Sequence, residues 1–559
     1  MKRIWIDAGL CDGCLNCTLA CMNAHRGDQG TIYDLDLTNP ANESRNVIRR
    51  LKDGSYRPIF CRHCDEPECV RSCMSGALRK NPETAGGIRR NTLRRLLYVR
   101  DELPLRSPKA RRTDQKPHPQ MRLLPGERRR TQLCEGLPQK GHLDRGGGRM
   151  RHIIIGAGAA GISAAGEIRR LRPEDEIVVV SKDDQVHSRC MLHKFLSGER
   201  TAQGINFVPE DFFENNRIQW IFGRSMTGLD CAGKRALFDG DSYLEYDRLL
   251  IATGAYYLVP PIPGFRESEN VYGFRDLCDA QAIDRAAKKG SNAVIVGSGL
   301  VGMDAAYALM ERGIKPAVVE MADRILPLQL DSGAAAEYQQ RFEAHGCRFF
   351  LSVKAADTRR DGKGLITAVV LDDGTELECD FVIVAAGVRP EVRFLQNCGV
   401  QVDRSIQVDE YLRTTVPDVY AAGDVCGLSG IWPNAMKQGI TAARNMCGQS
   451  ERYEDTYAMK NTMNFFGLPA LCLGDINRVG ADTQVITQED SRVYRKALVE
   501  NGRLKAILML GDISASGIFQ YLIKNEVPLP CCDRDIFRLT FADFYGFDKE
   551  SGKYLWNAG

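Results

Sequence analysis

The 559-residue chain has no long hydrophobic run. Residues 1–10 carry a basic pair with no apolar stretch behind it, which speaks against a secretory leader or an anchor. The most apolar later stretch, residues 293–310, is interrupted by glycines and by Asp304, and suits a strand, a turn and a helix better than a membrane span. A cytoplasmic protein without a membrane partner is therefore expected. Residues 88–149 lack hydrophobic periodicity, and Cys134 is their only cysteine, so no core is visible there. They hold 17 Lys plus Arg against 6 Asp plus Glu, or +11, which leaves −8 for the remainder of a chain whose formal charge is +3. Arginine clusters can neutralise phosphates, but this run lacks interleaved aromatics and any recognisable module, so nucleic-acid binding is not expected.

What is present begins with cysteine. Eight of the 20 cysteines fall within the first 73 residues, and the other twelve are scattered singly or adjacent as Cys531 and Cys532. Clustering of this kind points to metal ligation rather than a disulfide scaffold. Cys11, Cys14, Cys17 and Cys21 follow CxxCxxCxxxC, a spacing that puts three thiolates around one cubane and sends the fourth to a neighbouring cluster. Cys61, Cys64, Cys69 and Cys73 form a second set with four residues between the middle pair. Zinc also suits CxxC pairs, but eight thiolates exceed one zinc's needs, and 4Fe-4S clusters fit better. The run from Cys11 to Cys73 resembles the first half of the four-cluster ferredoxin subunits that serve carbon monoxide dehydrogenase and formate dehydrogenase. That resemblance implies single-electron transfer to such a redox-enzyme partner.

It also implies two further cysteine motifs after Leu78, where the chain has none. A Leu, Met or Val codon ending in TG, followed by a codon starting with C or T, reads as cysteine when shifted by one nucleotide. Leu93-Arg94, Leu96-Leu97, Val99-Arg100 and Leu103-Pro104 stand at ferredoxin intervals, and Met121-Arg122, Leu124-Pro125, Leu133-Cys134 and Leu137-Pro138 supply a final CxxC and CxxxC. Residues 88–149 therefore read as disordered, out-of-frame translation, with Met150 as the start of a separate protein.

From there the pattern changes. Residues 152–155 form a short buried strand, and Gly156, Gly158 and Gly161 follow as GxGxxG at the opening of a helix. The first glycine makes the tight turn, the second lets a pyrophosphate approach the backbone, and the third lets helix and strand pack. A second copy follows residues 293–296, with Gly297, Gly299 and Gly302, and Glu320 ends the next strand. A carboxylate there accepts hydrogen bonds from the adenosine ribose hydroxyls and repels a 2′-phosphate, which favours NAD over NADP. In the first copy Asp183 is the candidate for the matching role.

The two copies, with LLIATGA at 249–255, VIVAAGVRP at 382–390 and VYAAGDV at 419–425, resemble the two-dinucleotide-binding-domain flavoproteins, which include NADH oxidases, coenzyme A disulfide reductases and NADH:rubredoxin reductases. The similarity runs from residue 151 to about residue 530 and implies FAD and NAD as cofactors. It places Gly423 near the FAD pyrophosphate, Asp424 at the ribityl chain or phosphates, Thr253 and Gly254 where the FAD and NAD domains meet, and Gly387 in the second shared motif. It places Asp304 near the nicotinamide, where relatives have Glu, and a helix from Asn434 aimed at the flavin. It also implies a C-terminal interface domain and a homodimer.

Residues 187–198, HSRCMLHKFLSG, align with the loop beside the flavin, and Cys190 falls where NADH oxidases and coenzyme A disulfide reductases keep a reactive cysteine. His187, Arg189, His193 and Lys194 are expected to lower its pKa, since nearby cations favour the thiolate. Equally, a lone cysteine can be a small buried packer. The FAD region has no CxxC or CxxxxC, which argues against a dithiol reductase.

The fold expected is α/β with two Rossmann-like domains. A partial α+β ferredoxin (1–87) and the out-of-frame segment (88–149) precede an FAD domain (150–263 and 391–448), an inserted NAD domain (264–390) and an α+β C-terminal domain (449–559). The function expected is FAD-dependent electron exchange between NAD(H) and an iron-sulfur or ferredoxin carrier. A Cys190-dependent NADH oxidase, peroxidase or coenzyme A disulfide reductase, or an electron-relay subunit with no substrate of its own, remain the alternatives.

Overall fold

The structure, a computed structural model, describes residues 148–548 apart from 241, 291, 456–459, 491–492, 514–515 and 531–534, together with short strands at Val47–Arg50, Tyr56–Ile59, Leu78–Arg79, Gly87–Ile88 and Lys553–Trp556. The eight N-terminal cysteines, nearly all of residues 88–149, and Cys531 and Cys532 lie outside the described residues.

The described residues from 148 to 461, with 474–479, belong to one compact unit. Its first domain opens with β1 (Arg151–Ile155), α1 (Ala159–Leu171) and β2 (Glu176–Val180). The sheet runs in the order Val419–Ala421, Arg248–Ile251, β1, β2, Gln219–Ile221, with parallel pairing throughout. Parallel strands are covered on both faces, which is why β1 and β2 read as unbroken branched apolar runs. Alternation divides the work: Ile153, Ile155, Val178 and Val180 pack into the core that includes Met226, Phe238 and Leu244 of a three-stranded antiparallel sheet, whereas Ile154 faces α1 at Gly161. Between β2 and the next strand lies the short helix α2 (Leu192–Leu196).

The second domain repeats the plan. Here α3 (Leu277–Ala287) is followed by β3 (Ala293–Val296), α4 (Leu300–Met310) and β4 (Ala317–Glu320). The parallel sheet order is Val271–Tyr272, Phe381–Val384, β3, β4, Arg348–Leu351, and Val294, Val319 and Val382 pack toward Val369, Leu371 and Leu377 of a second three-stranded sheet. The two domains are joined by an antiparallel pair, Ala255–Tyr257 against Val388–Pro390.

The first domain closes with α5 (Trp432–Met446), which lies along α1. Gly439 makes this approach possible, because a Cβ there would sit 2.1 Å from the Ala160 carbonyl oxygen. In the other unit, a five-stranded sheet runs in the order Lys460–Phe465, Leu468–Leu473, Arg503–Leu510, Val493–Glu500, Gln484–Asp490, and a helix at Ser516–Lys524 packs on it. Among the described residues, no helix is long and apolar enough to cross a membrane.

Candidate active site at two glycine turns

Each glycine of the two turns has a distinct geometric duty. Gly156 takes φ +115°, and a Cβ on it would lie 2.1 Å from the Ala252 oxygen; Gly297 takes φ +106° and faces the Ala385 oxygen at 2.5 Å. A Cβ on Gly161 would come within 1.8 Å of the Gly156 oxygen, and one on Gly302 within 1.9 Å of the Gly297 oxygen. By contrast, Gly158 and Gly299, the residues preceding α1 and α4, have nothing within 4 Å of an added Cβ. The middle position is thus open toward the exposed N–H groups of a helix start, where an anion is stabilised by those donors and by the helix dipole. This is the cradle a dinucleotide pyrophosphate needs, and it exists twice.

The strand ends differ. Gly156 N–H donates to Val180 O at 2.7 Å and Gly297 N–H to Val319 O at 2.8 Å, so Ser181 is the counterpart of Glu320. Glu320 accepts from Ser298 N and Oγ, both at 2.8 Å, and from Ala322 N at 2.9 Å, which holds it beside the second turn with lone pairs to spare. Ser181 instead donates its hydroxyl to Asp183 O at 2.6 Å and accepts from Trp220 Nε1 at 3.1 Å. Asp183 stands two residues beyond the matching position.

Ligand atoms of Asp183, His187 and Asp276 lie within 4.8 Å of one another, a spacing that would suit a cation. Yet Asp276 already accepts from Lys182 and Arg189, so two positive groups balance the two carboxylates. Burial, with Arg189 adding, lowers the His187 pKa and keeps its ring neutral. Its Nδ1 lies 3.1 Å from Gln185 O, while its buried Nε2 has no partner in the protein. A buried acceptor without a donor beside Asp183 fits a hydroxyl-bearing ligand such as a ribose.

At the domain junction, Thr253 Oγ1 donates to Glu391 O at 2.9 Å and Glu391 N–H donates to Gly254 O at 3.0 Å, so both connections leave side by side. Gly387, at φ +106°, accepts from Leu258 N–H one step further along the same pair of segments. Gly423, at φ +87°, turns the chain over Ala160 of α1, and its N–H donates to Gln438 of α5 at 2.7 Å. Asn434 instead donates to Asp455 O at 3.2 Å. Asp424 accepts from Arg275, whose Nε donates to Ala255 O at 3.3 Å. Arg275 was not foreseen from the sequence, because its partner lies 149 residues away and nothing local marks the pair.

Cys190 sits in a single 3-10 turn, Arg189–Met191, directly before α2. The expectation that four cations lower its pKa fails. Burial, reinforced by Asp304, pushes the thiol up to about 12, despite Arg275 and Arg189. Burial also drives His193 down to about 3 and lowers His187, so neither ring is charged at neutral pH, and Lys194 is paired with Glu199 at 2.6 Å. Asp304 on α4 lies 3.7 Å from His193 Nδ1. Burial raises its carboxyl to about 7, although Lys194 opposes the shift.

Comparison with known proteins agrees with this geometry. The model of the pyridine nucleotide-disulphide oxidoreductase family matches residues 150–439, more than half of the chain. That of the rubredoxin NAD+ reductase C-terminal domain matches residues 460–527. A 4Fe-4S dicluster domain matches residues 52–119, which takes in Cys61, Cys64, Cys69 and Cys73 and begins after Cys21. The epsilon subunit of NADH-dependent phenylglyoxylate dehydrogenase from Aromatoleum evansii is 30% identical over 69% of this chain and 94% of its own. A nitrite reductase [NAD(P)H] of Bacillus subtilis is 26% identical over 68% of this chain, which spans about half (48%) of that protein. Among solved structures, a ferredoxin reductase from Rhodopseudomonas palustris superposes with a TM-score of 0.59 at 25% identity, covering 65% of this chain and 91% of its own. The chain thus belongs to the pyridine nucleotide-disulphide oxidoreductase family, which implies FAD and NAD(H) as cofactors, and it also carries a 4Fe-4S dicluster domain.

Proposed function

We propose that the protein passes electrons between NAD(H) and an iron-sulfur carrier of the ferredoxin or rubredoxin kind, in the cytoplasm and as a homodimer. The observation that carries this reading is the pair of open glycine turns in a chain that also matches a 4Fe-4S dicluster domain at residues 52–119, and burial at Cys190, which pushes its thiol up and disfavours the thiolate, accords with it. Bound FAD supplies the conversion of a hydride into single electrons, which is the exchange a cluster requires. The chain's own part is to hold and align. Gly158 and Gly299 leave room for the two pyrophosphates, Glu320 accepts from the NAD ribose, and Asp183 with the unpaired His187 Nε2 faces the FAD ribose. Arg275 and Asp424 tie the two domains where flavin and nicotinamide must meet. The N-terminal resemblance makes an enzyme of the carbon monoxide dehydrogenase or formate dehydrogenase kind the partner.

The reading is tested by replacing Cys190→Ser and following NADH-driven ferredoxin reduction under anaerobic conditions. The expected result is a rate close to that of the wild type. Loss of ferredoxin reduction together with loss of peroxide or disulfide reduction would favour the Cys190-dependent alternative. On the out-of-frame reading of residues 88–149, ferredoxin and flavoprotein are separate molecules, and sequencing the gene between the codons for Leu78 and Met150 decides that point.

A further inference from the structure

Asp276 has two roles that can be separated. As the N-cap of α3 it forms a capping box: its side chain accepts from the Asp279 backbone, and the Asp279 carboxylate accepts at 2.9 Å from the N–H groups of Asp276 and Arg275. Its oxygens also bind Lys182 and Arg189, which come from the other domain. Capping needs no charge, since Asn serves as well as Asp. Burying a charge is costly unless it is paired, and Asp276 is only 6% exposed. Burial opposes its ionisation, yet Arg189 and Lys182 hold its carboxyl below the usual range.

The position of the two cations gives the pairing its meaning. Lys182 follows β2, and Arg189 immediately precedes Cys190 and α2. Helix α2 packs against both α3 and α4 of the NAD domain. At its far end, Arg312 donates to Leu196 O at 3.3 Å and pairs with Asp284 of α3 at 2.7 Å. This FAD-domain helix is therefore fastened at both ends to NAD-domain side chains, by Asp276 at its start and by Arg312 at its finish.

We propose that Asp276 is a positioning residue whose carboxylate fixes the Cys190 turn and α2 against the NAD domain, and thereby sets the approach of nicotinamide to flavin. The second half rests on the NAD(H)-to-FAD transfer proposed above. The first half concerns the protein alone.

Asp276→Asn in the full chain keeps the cap and removes the ion pairs. Two measurements read the result. In the full-length protein as isolated, alkylation of Cys190 by iodoacetamide at pH 9, followed by peptide mass spectrometry, is expected to run about tenfold faster than in the wild type, because opening the turn no longer breaks a buried pair. With FAD bound, flavin bleaching at saturating NADH is expected to slow while the NADH Kd stays nearly constant. Arg189→Gln, which leaves the cap untouched, should give the same acceleration, and the double variant should add little to either single change. Unchanged Cys190 alkylation in both single variants overturns the proposal. If the wild-type flavin is not bleached by NADH, the proposed function falls instead, and the alkylation result still decides the role of Asp276.

Discussion

The two glycine turns share one backbone and differ at one side chain. In both, the first and third glycines are packed against carbonyl oxygens and the second faces open space, so the cradle for a pyrophosphate is made by main-chain geometry alone. At the strand end that follows, the second turn has Glu320, braced by three hydrogen bonds, while the first has Ser181, whose hydroxyl is used internally. A cradle can be copied without copying the selectivity, because phosphate recognition depends on absent side chains and sugar recognition on a present one.

The most damaging way to break the comparison is to fill the third glycines. Gly161→Ala and Gly302→Ala each drive a Cβ into a carbonyl oxygen less than 2 Å away, and overpacking costs about 1–3 kcal/mol, occasionally more. Gly161→Ala is expected to abolish the flavin absorbance. Gly302→Ala is expected to keep the absorbance and lose bleaching by NADH; equal flavin loss in both would show that the turns are not independent. A smaller effect follows from exchanging the strand ends. Glu320→Ser removes charged acceptors worth about 1.5–3 kcal/mol each, so the NADH Kd should rise at least about tenfold, with discrimination against NADPH relaxed. Ser181→Glu should leave NADH binding unaltered, as equilibrium titration can verify.

The smallest effect is on stability against pH. Asp304 has its carboxyl raised to about 7, so its contribution is present below the ordinary Asp value and is lost as pH climbs through about 7. His193 is depressed to about 3, so its contribution is present above the ordinary His value and fades as pH falls toward 3. Between roughly pH 4 and 6.5 the two slopes oppose each other. Asp304→Asn should leave stability rising with pH across that window, and His193→Gln should leave it falling. Parallel melting curves for both variants would refute the assignment.

Much of this was legible in the chain. Both turns announce themselves through glycine spacing after branched apolar runs, and the joining of the domains at Thr253 and Gly254 was readable from a shared motif. Other features were silent. Gly439 reads as an ordinary helix residue until α1 is laid against it, and Ser181 cannot be matched to Glu320 without the hydrogen bonds to Val180 and Val319. The pairs Arg275–Asp424 and Asp276–Lys182 join residues 149 and 94 positions apart, beyond the reach of any local pattern. The cations around Cys190 were visible as residue types, but whether they carry charge depends on burial, which sequence spacing does not report.

The double connection between the domains has a mechanical consequence. The second domain is entered through Ala255–Tyr257 and left through Val388–Pro390, two short strands that are hydrogen-bonded to one another. These straps act together with the Asp276–Lys182, Asp276–Arg189 and Arg275–Asp424 pairs, so turning one domain against the other requires those pairs to break. The same adjacency makes the domain a cassette: cutting both strands and bridging the cut ends with a short loop should leave the split FAD domain able to close on itself.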